Sequence, residues 1–209
     1  MTKALDSRIV SEVKDLVKDT LRFFKNQLKL NVVVGIEHYI PTHAHTSEGI
    51  KLNLHEEEDR IFANGIIMVK DKYFDTYAKE ITDDYAKLGA RYLLMPEIEF
   101  YRNCKECNFN LFDLKNIYPY VSYKIIAYRI ADENRCATTQ WDNGQIRRLY
   151  KNDDVNVNNL SHRDLDRVAR EALKAQEGTY TFQPNDFFGM TGWKVAENKV
   201  QILCLWEDY

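Results

Sequence analysis

Four of the five histidines in this chain lie between residues 38 and 55. His43 and His45 stand two apart, Glu48 follows them, and His55 opens an acidic run that includes Glu56 and Glu57. On an extended segment, residues two apart point to the same side. Two imidazoles there can share a divalent metal such as Zn²⁺, and a carboxylate can complete the set. Glu48, His55 and Glu57 are the nearest further ligands. A metal with an open position would acidify a bound water, and Glu48 or Glu56 would then serve as base. That chemistry is metal-dependent hydrolysis. The spacing is not the His-Glu-x-x-His of a zincin helix, and a solvated polar loop can also carry His-x-His by chance.

Cys104 and Cys107 form a Cys-x-x-Cys, which can hold half of a zinc site or act as a redox pair. A zinc site needs two more ligands, and His43 and His45 could supply them if the fold brought them near. The deaminase pattern of His-x-Glu with Pro-Cys-x-x-Cys is not met. Asn103 stands where the Pro would be, and His45 where the Glu would be.

A third set is aromatic and basic. Tyr118, Tyr120, Tyr123 and Tyr128 share one stretch with Lys124 and Arg129, and Arg147 and Arg148 lie on the hairpin that follows. On a sheet face such residues can stack bases and hold phosphates. A fourth set is the carboxylates Glu97 and Glu99, with Asp83, Asp84, Asp153 and Asp154 elsewhere. On a strand, Glu97 and Glu99 would share a side and could do acid–base work or hold Mg²⁺.

The elements that must position these groups are read from periodicity. Residues 4–28 read as a helix with Leu5, Ile9, Val13, Leu16, Val17, Leu21, Phe24 and Leu28 on one stripe. Residues 31–40 read as a strand, 42–49 as a loop, 51–55 as a short strand and 61–70 as another strand. The Asn64-Gly65 pair within the last is a turn signal. A second helix covers 71–88, with Gly89 at its stop position. Residues 91–101 read as a strand broken by Pro96, and 104–115 as a loop with one helical turn. The run Tyr118–Ile130, rich in Tyr, Val and Ile, reads as the central strand. Asn143-Gly144 marks a hairpin between 136–141 and 145–150. A third helix covers 161–176 with Ser161 as N-cap. After a loop at 183–192, a last hairpin pairs 193–196 with 199–206, placing Val200, Ile202, Cys204 and Trp206 on one face.

That order predicts an α+β fold, a mainly antiparallel sheet with about three helices packed on it. It reads as one domain over 1–209, with a weak boundary at 151–160. No glycine-rich loop joins a strand to a helix, so no nucleotide-cofactor site is expected.

The totals bound the function. The chain has 209 residues, 44% hydrophobic, 29% charged and 12% aromatic. That is ordinary globular composition, long enough to bury a core without disulfides or metal. Its formal net charge is −3, which is not the overall footprint of a nucleic-acid binder. Nucleic acid is therefore the weaker partner class. With no apolar leader and no run approaching ~18 apolar residues, the chain reads as cytoplasmic, off the membrane, with its four cysteines as free thiols. No catalytic set is complete, and aromatic residues are plentiful. The reading that follows is an interaction protein that binds a protein partner or self-assembles, with the metal-dependent hydrolase of His43 and His45 as the alternative.

Overall fold

The computed structural model describes residues 10–15, 43–46, 49–52, 58, 62–63, 65–67, 69–70, 83–147, 149–152, 155–158 and 160–206. Its chain divides into two compact units, Met1–Asn103 with Tyr118–Ser122, and Cys104–Ile117 with Tyr123–Tyr209. The expected strand at 31–40 lies outside the described residues, as does most of the expected helix 4–28, of which 10–15 is helical.

In the first unit, β1 (His43–Thr46) and β2 (Gly49–Leu52) pair antiparallel, with His43 opposite Leu52 and His45 opposite Ile50. The histidine segment is thus a strand rather than a loop. The described residues of the expected strand 61–70 are helical. The reason is visible in the packing. Ile66 and Val69, one helical turn apart, join a cluster with Val13, Tyr85, Ala86, Leu88 and Tyr92. Gly65 is no turn; a Cβ there would lie 3.3 Å from Ala90 Cβ, so the missing side chain permits close helix approach.

Helix α1 (Asp83–Leu94) runs through Gly89 instead of stopping at it. A Cβ on Gly89 would fall 2.8 Å from Val69 Cγ1 and 2.9 Å from Val13 Cγ1, so packing explains this glycine. The expected strand 91–101 is the end of α1 and the start of α2 (Glu97–Glu106). Pro96 stands just ahead of α2, where a missing N–H costs nothing, and its carbonyl accepts from Phe100 N at 2.8 Å. Glu97 and Glu99 sit in the first turn of α2, where the helix dipole favours them.

The expected central strand is not formed. Tyr118–Val121 is a turn closed by Val121 N donating to Tyr118 O at 3.1 Å. The rest is helix α4 (Tyr123–Glu133), which follows α3 (Leu111–Ile117) in the second unit. Ile125, Ile126, Ala127, Arg129, Ile130 and Ala131 are all buried. A helix buried on most of its circumference keeps only a narrow polar stripe, here Lys124 and Asp132, so its apolar run looks like that of an internal strand.

The second unit carries the sheet. Its strands are β3 (Cys136–Asp142), β4 (Gln145–Ile146), β5 (Tyr150–Lys151), β6 (Thr179–Asn185), β7 (Phe188–Ala196) and β8 (Lys199–Trp206). They lie in the order β4-β3-β8-β7-β6, every pairing antiparallel, with β5 also on β3. The Asn143-Gly144 turn is as expected, with φ of 49° and 83° in the left-handed region. Strand β6 falls where no strand is expected before residue 183, and β7 begins inside the expected loop. The α+β class and the mainly antiparallel sheet hold, with more helices than three.

Helix α5 (His162–Lys174) lies on one face of this sheet. Leu165, Val168, Ala169 and Ala172 recur at helical spacing and meet Trp141, Met190, Val200, Ile202 and Cys204. Gly192 makes the approach possible, since a Cβ there would sit 2.9 Å from Val168 Cγ1. The residues alternating with these, Cys136, Thr138 and Leu203, are also buried, and α4 lies against β3 and β8. The central strands are therefore covered on both faces.

Candidate nucleic-acid interface

The outer face of α5 is built by the same periodicity that builds its inner one. Arg163, Arg167, Arg170 and Lys174 recur at steps of four, three and four, so they form one stripe along the helix. All four are exposed. The helix begins at a defined point because Ser161, extended at φ −79° and ψ 129°, accepts from Arg163 N through its hydroxyl at 3.1 Å.

The charges on this face are not equivalent. Arg170 Nε donates to Asp166 Oδ2 at 2.7 Å, and Lys174 Nζ pairs with Glu171 Oε1 at 2.9 Å. Asp166 also accepts from Trp141 Nε1 at 3.0 Å, which anchors it to β3. The Arg170 hydrogen bond, ahead of that from Trp141, holds the Asp166 carboxyl below the usual carboxylate range. The Arg167 guanidinium lies 4.5 Å above the Phe182 ring of β6. Among the described residues neither Arg163 nor Arg167 is in an ion pair. An open depression runs along this face, lined by Ser161, by Arg163, Arg167 and Arg170, and by Asp164, Asp166 and Glu171. Chemically the arrangement can receive an anion, and planar guanidinium forks suit phosphate oxygens best.

The groups singled out in the sequence are mostly dispersed. His43 and His45 lie on β1, while Glu48, His55, Glu56 and Glu57 lie outside the described residues. Among the described residues no group of three or more His, Cys, Asp or Glu is placed to hold a metal. Cys104 is no loop residue; it is buried within α2, and burial pushes its thiol up to about 12. Cys107 stands in the turn after α2, half-buried, its thiol raised by burial and then by Asp113 and Glu106.

The aromatic and basic set does not form one surface. Tyr118 and Arg129 are buried, and Tyr128 stacks on Tyr150 with centroids 4.4 Å apart. Arg147 pairs with Asp142 at 3.0 Å. Arg148, Asp153 and Asp154 lie outside the described residues. The α5 stripe was available in the sequence as a 3.6-residue period of cations, hidden because Asp164, Asp166 and Glu171 interrupt it.

Brief alkylation of the native protein is expected to label Cys107 first, with Cys104, Cys136 and Cys204 protected, because a buried thiol is neither accessible nor ionised. Mass spectrometry reads the order. Labelling of Cys104 as fast as Cys107 would show that the end of α2 opens readily.

Compared with known proteins, the sequence matches no family model and no curated protein. Its fold is similar to that of a solved protein. That protein is a Mycobacterium tuberculosis transcriptional regulator. The likeness has a TM-score of 0.54 at 12% sequence identity, over 96% of this chain and 76% of the other. At that identity the fold is what is shared. The likeness overturns the sequence-based reading of an interaction protein with a hydrolase as its alternative, since neither class is that of the protein sharing the fold. Among the described residues no helix is long and apolar enough to cross a membrane.

Proposed function

We propose that this chain is a regulator that binds duplex DNA. The observation that carries the reading is the fold likeness to a transcriptional regulator over nearly the whole chain. The formal net charge of −3 means that the molecule as a whole does not attract a phosphate backbone. Contact with DNA then needs a locally basic face, and an exposed row of cations on one helix supports the proposal.

The test is fluorescence anisotropy of a labelled mixed-sequence duplex titrated with the full chain. Binding is expected at ~50 mM salt, weakening as salt rises, with non-specific dissociation constants in the range of about 10⁻⁴ to 10⁻⁶ M near physiological salt. No rise in anisotropy at ~50 mM salt, with protein taken beyond about 10⁻⁴ M, would overturn the reading.

A further inference from the structure

We infer that the outer face of α5 is the surface that meets the DNA backbone, with Arg163 and Arg167 as its direct phosphate contacts. This rests on the proposed binding of duplex DNA and assigns its site. The argument is charge complementarity resolved residue by residue. Of the four cations on the stripe, Arg170 and Lys174 are neutralised by Asp166 and Glu171. Asp166 is doubly held, by Arg170 and by Trp141 of the sheet, so it presents little free negative charge to a phosphate. Asp164 sits in the first turn, where the helix dipole offsets it. The positive charge left over is that of Arg163 and Arg167, one turn apart at the N-terminal half of the helix, against the single remaining carboxylate of Asp164.

Arg167 is also preorganised. Its guanidinium rests on the Phe182 ring at 4.5 Å, so it loses less freedom on meeting a phosphate than a waving side chain would. The helix itself is rigidly backed, because Val168, Ala169 and Ala172 are fully buried against the sheet. A helix of this width can enter a major groove about 12 Å across, with its cations reaching the flanking backbone.

Salt dependence separates this role from a structural one. Each neutralised phosphate adds about 0.9 to the slope of log affinity against log salt. The Arg163→Gln/Arg167→Gln double variant is expected to bind with a slope lower by about 1.8, and each single variant with one lower by about 0.9. Between ~50 and ~200 mM salt, those two contacts account for about a tenfold loss of wild-type affinity. Arg163→Lys/Arg167→Lys keeps both charges and is expected to retain the wild-type slope. Thermal unfolding of Arg163→Gln should match the wild type, since that side chain is exposed, while the variants carrying Arg167→Gln should unfold slightly earlier because they give up the Phe182 contact. If the wild type binds DNA and the Gln double variant shows the same slope, this surface is the wrong one while DNA binding stands. If the wild type does not bind, both fall.

Discussion

Replacing Glu133 with Ala is expected to destabilise the fold by about 3 kcal/mol, far more than removal of any surface carboxylate. Among the described residues Arg129 is the largest fully buried side chain, with no exposed surface at all. Its Nη1 donates to Glu133 Oε1 at 3.1 Å, one turn along α4. Taking away the carboxylate leaves a desolvated guanidinium without that counter-charge. The Lys174–Glu171 pair on α5 is a useful contrast, since the Lys174 side chain is 69% exposed and the Glu171 side chain 40%. Water already screens that pair, so Glu171→Ala should cost less than about 0.5 kcal/mol. Urea unfolding of the two variants side by side measures the difference. A Glu133→Ala variant within about 0.5 kcal/mol of wild type would show that Arg129 is held without the Glu133 charge.

Stability should also fall steeply in alkali. Burial pushes the Cys104 and Cys204 thiols from 9.0 up to about 12. For Cys104 the Arg129 charge works against that rise without reversing it. Burial pushes Cys136 up as well, reinforced by Cys204. These acids keep their protons in the native state where the unfolded chain has released them. Their contribution is therefore fully present below pH 9.0 and is lost as pH climbs towards 12. Each thiol costs about 1.4 kcal/mol per pH unit in that window. Three together cost about 4 kcal/mol per unit, comparable with the whole stability of an ordinary domain within two or three units. Urea midpoints between pH 7 and 11 test this. Cys204→Ala should flatten the alkaline limb by roughly one third relative to wild type. An unchanged limb would assign the loss to other groups.

The α5 helix and the hairpin of β3 and β4 were legible in the sequence, for local reasons. Ser161 caps where a cap is needed, Leu165, Val168, Ala169 and Ala172 keep one period, and Asn143-Gly144 permits only a tight turn. Strand β8 is buried continuously from Val200 to Cys204, as befits its place between β3 and β7. The outer cations of α5 were equally local, but a stripe broken by carboxylates carries no meaning until the pairs that cancel them are known. The hydrogen bond from Trp141 to Asp166, with the residues 25 apart in sequence, is what separates spent charges from available ones.

By itself, then, the sequence determined the α+β class, the antiparallel sheet with its capped helix, and the strand face shared by Val200, Ile202 and Cys204. Each depends on contacts with a short period or on one turn. Tertiary structure alone decided that Tyr123–Glu133 is a helix, that Gly65 and Gly89 serve close packing rather than turns, and that Cys104 is buried. In those cases the same residues satisfy two local conformations about equally. The choice falls to apolar surface supplied by distant residues, such as Val13 and Val69 against Gly89, and that surface exists only once the chain has folded.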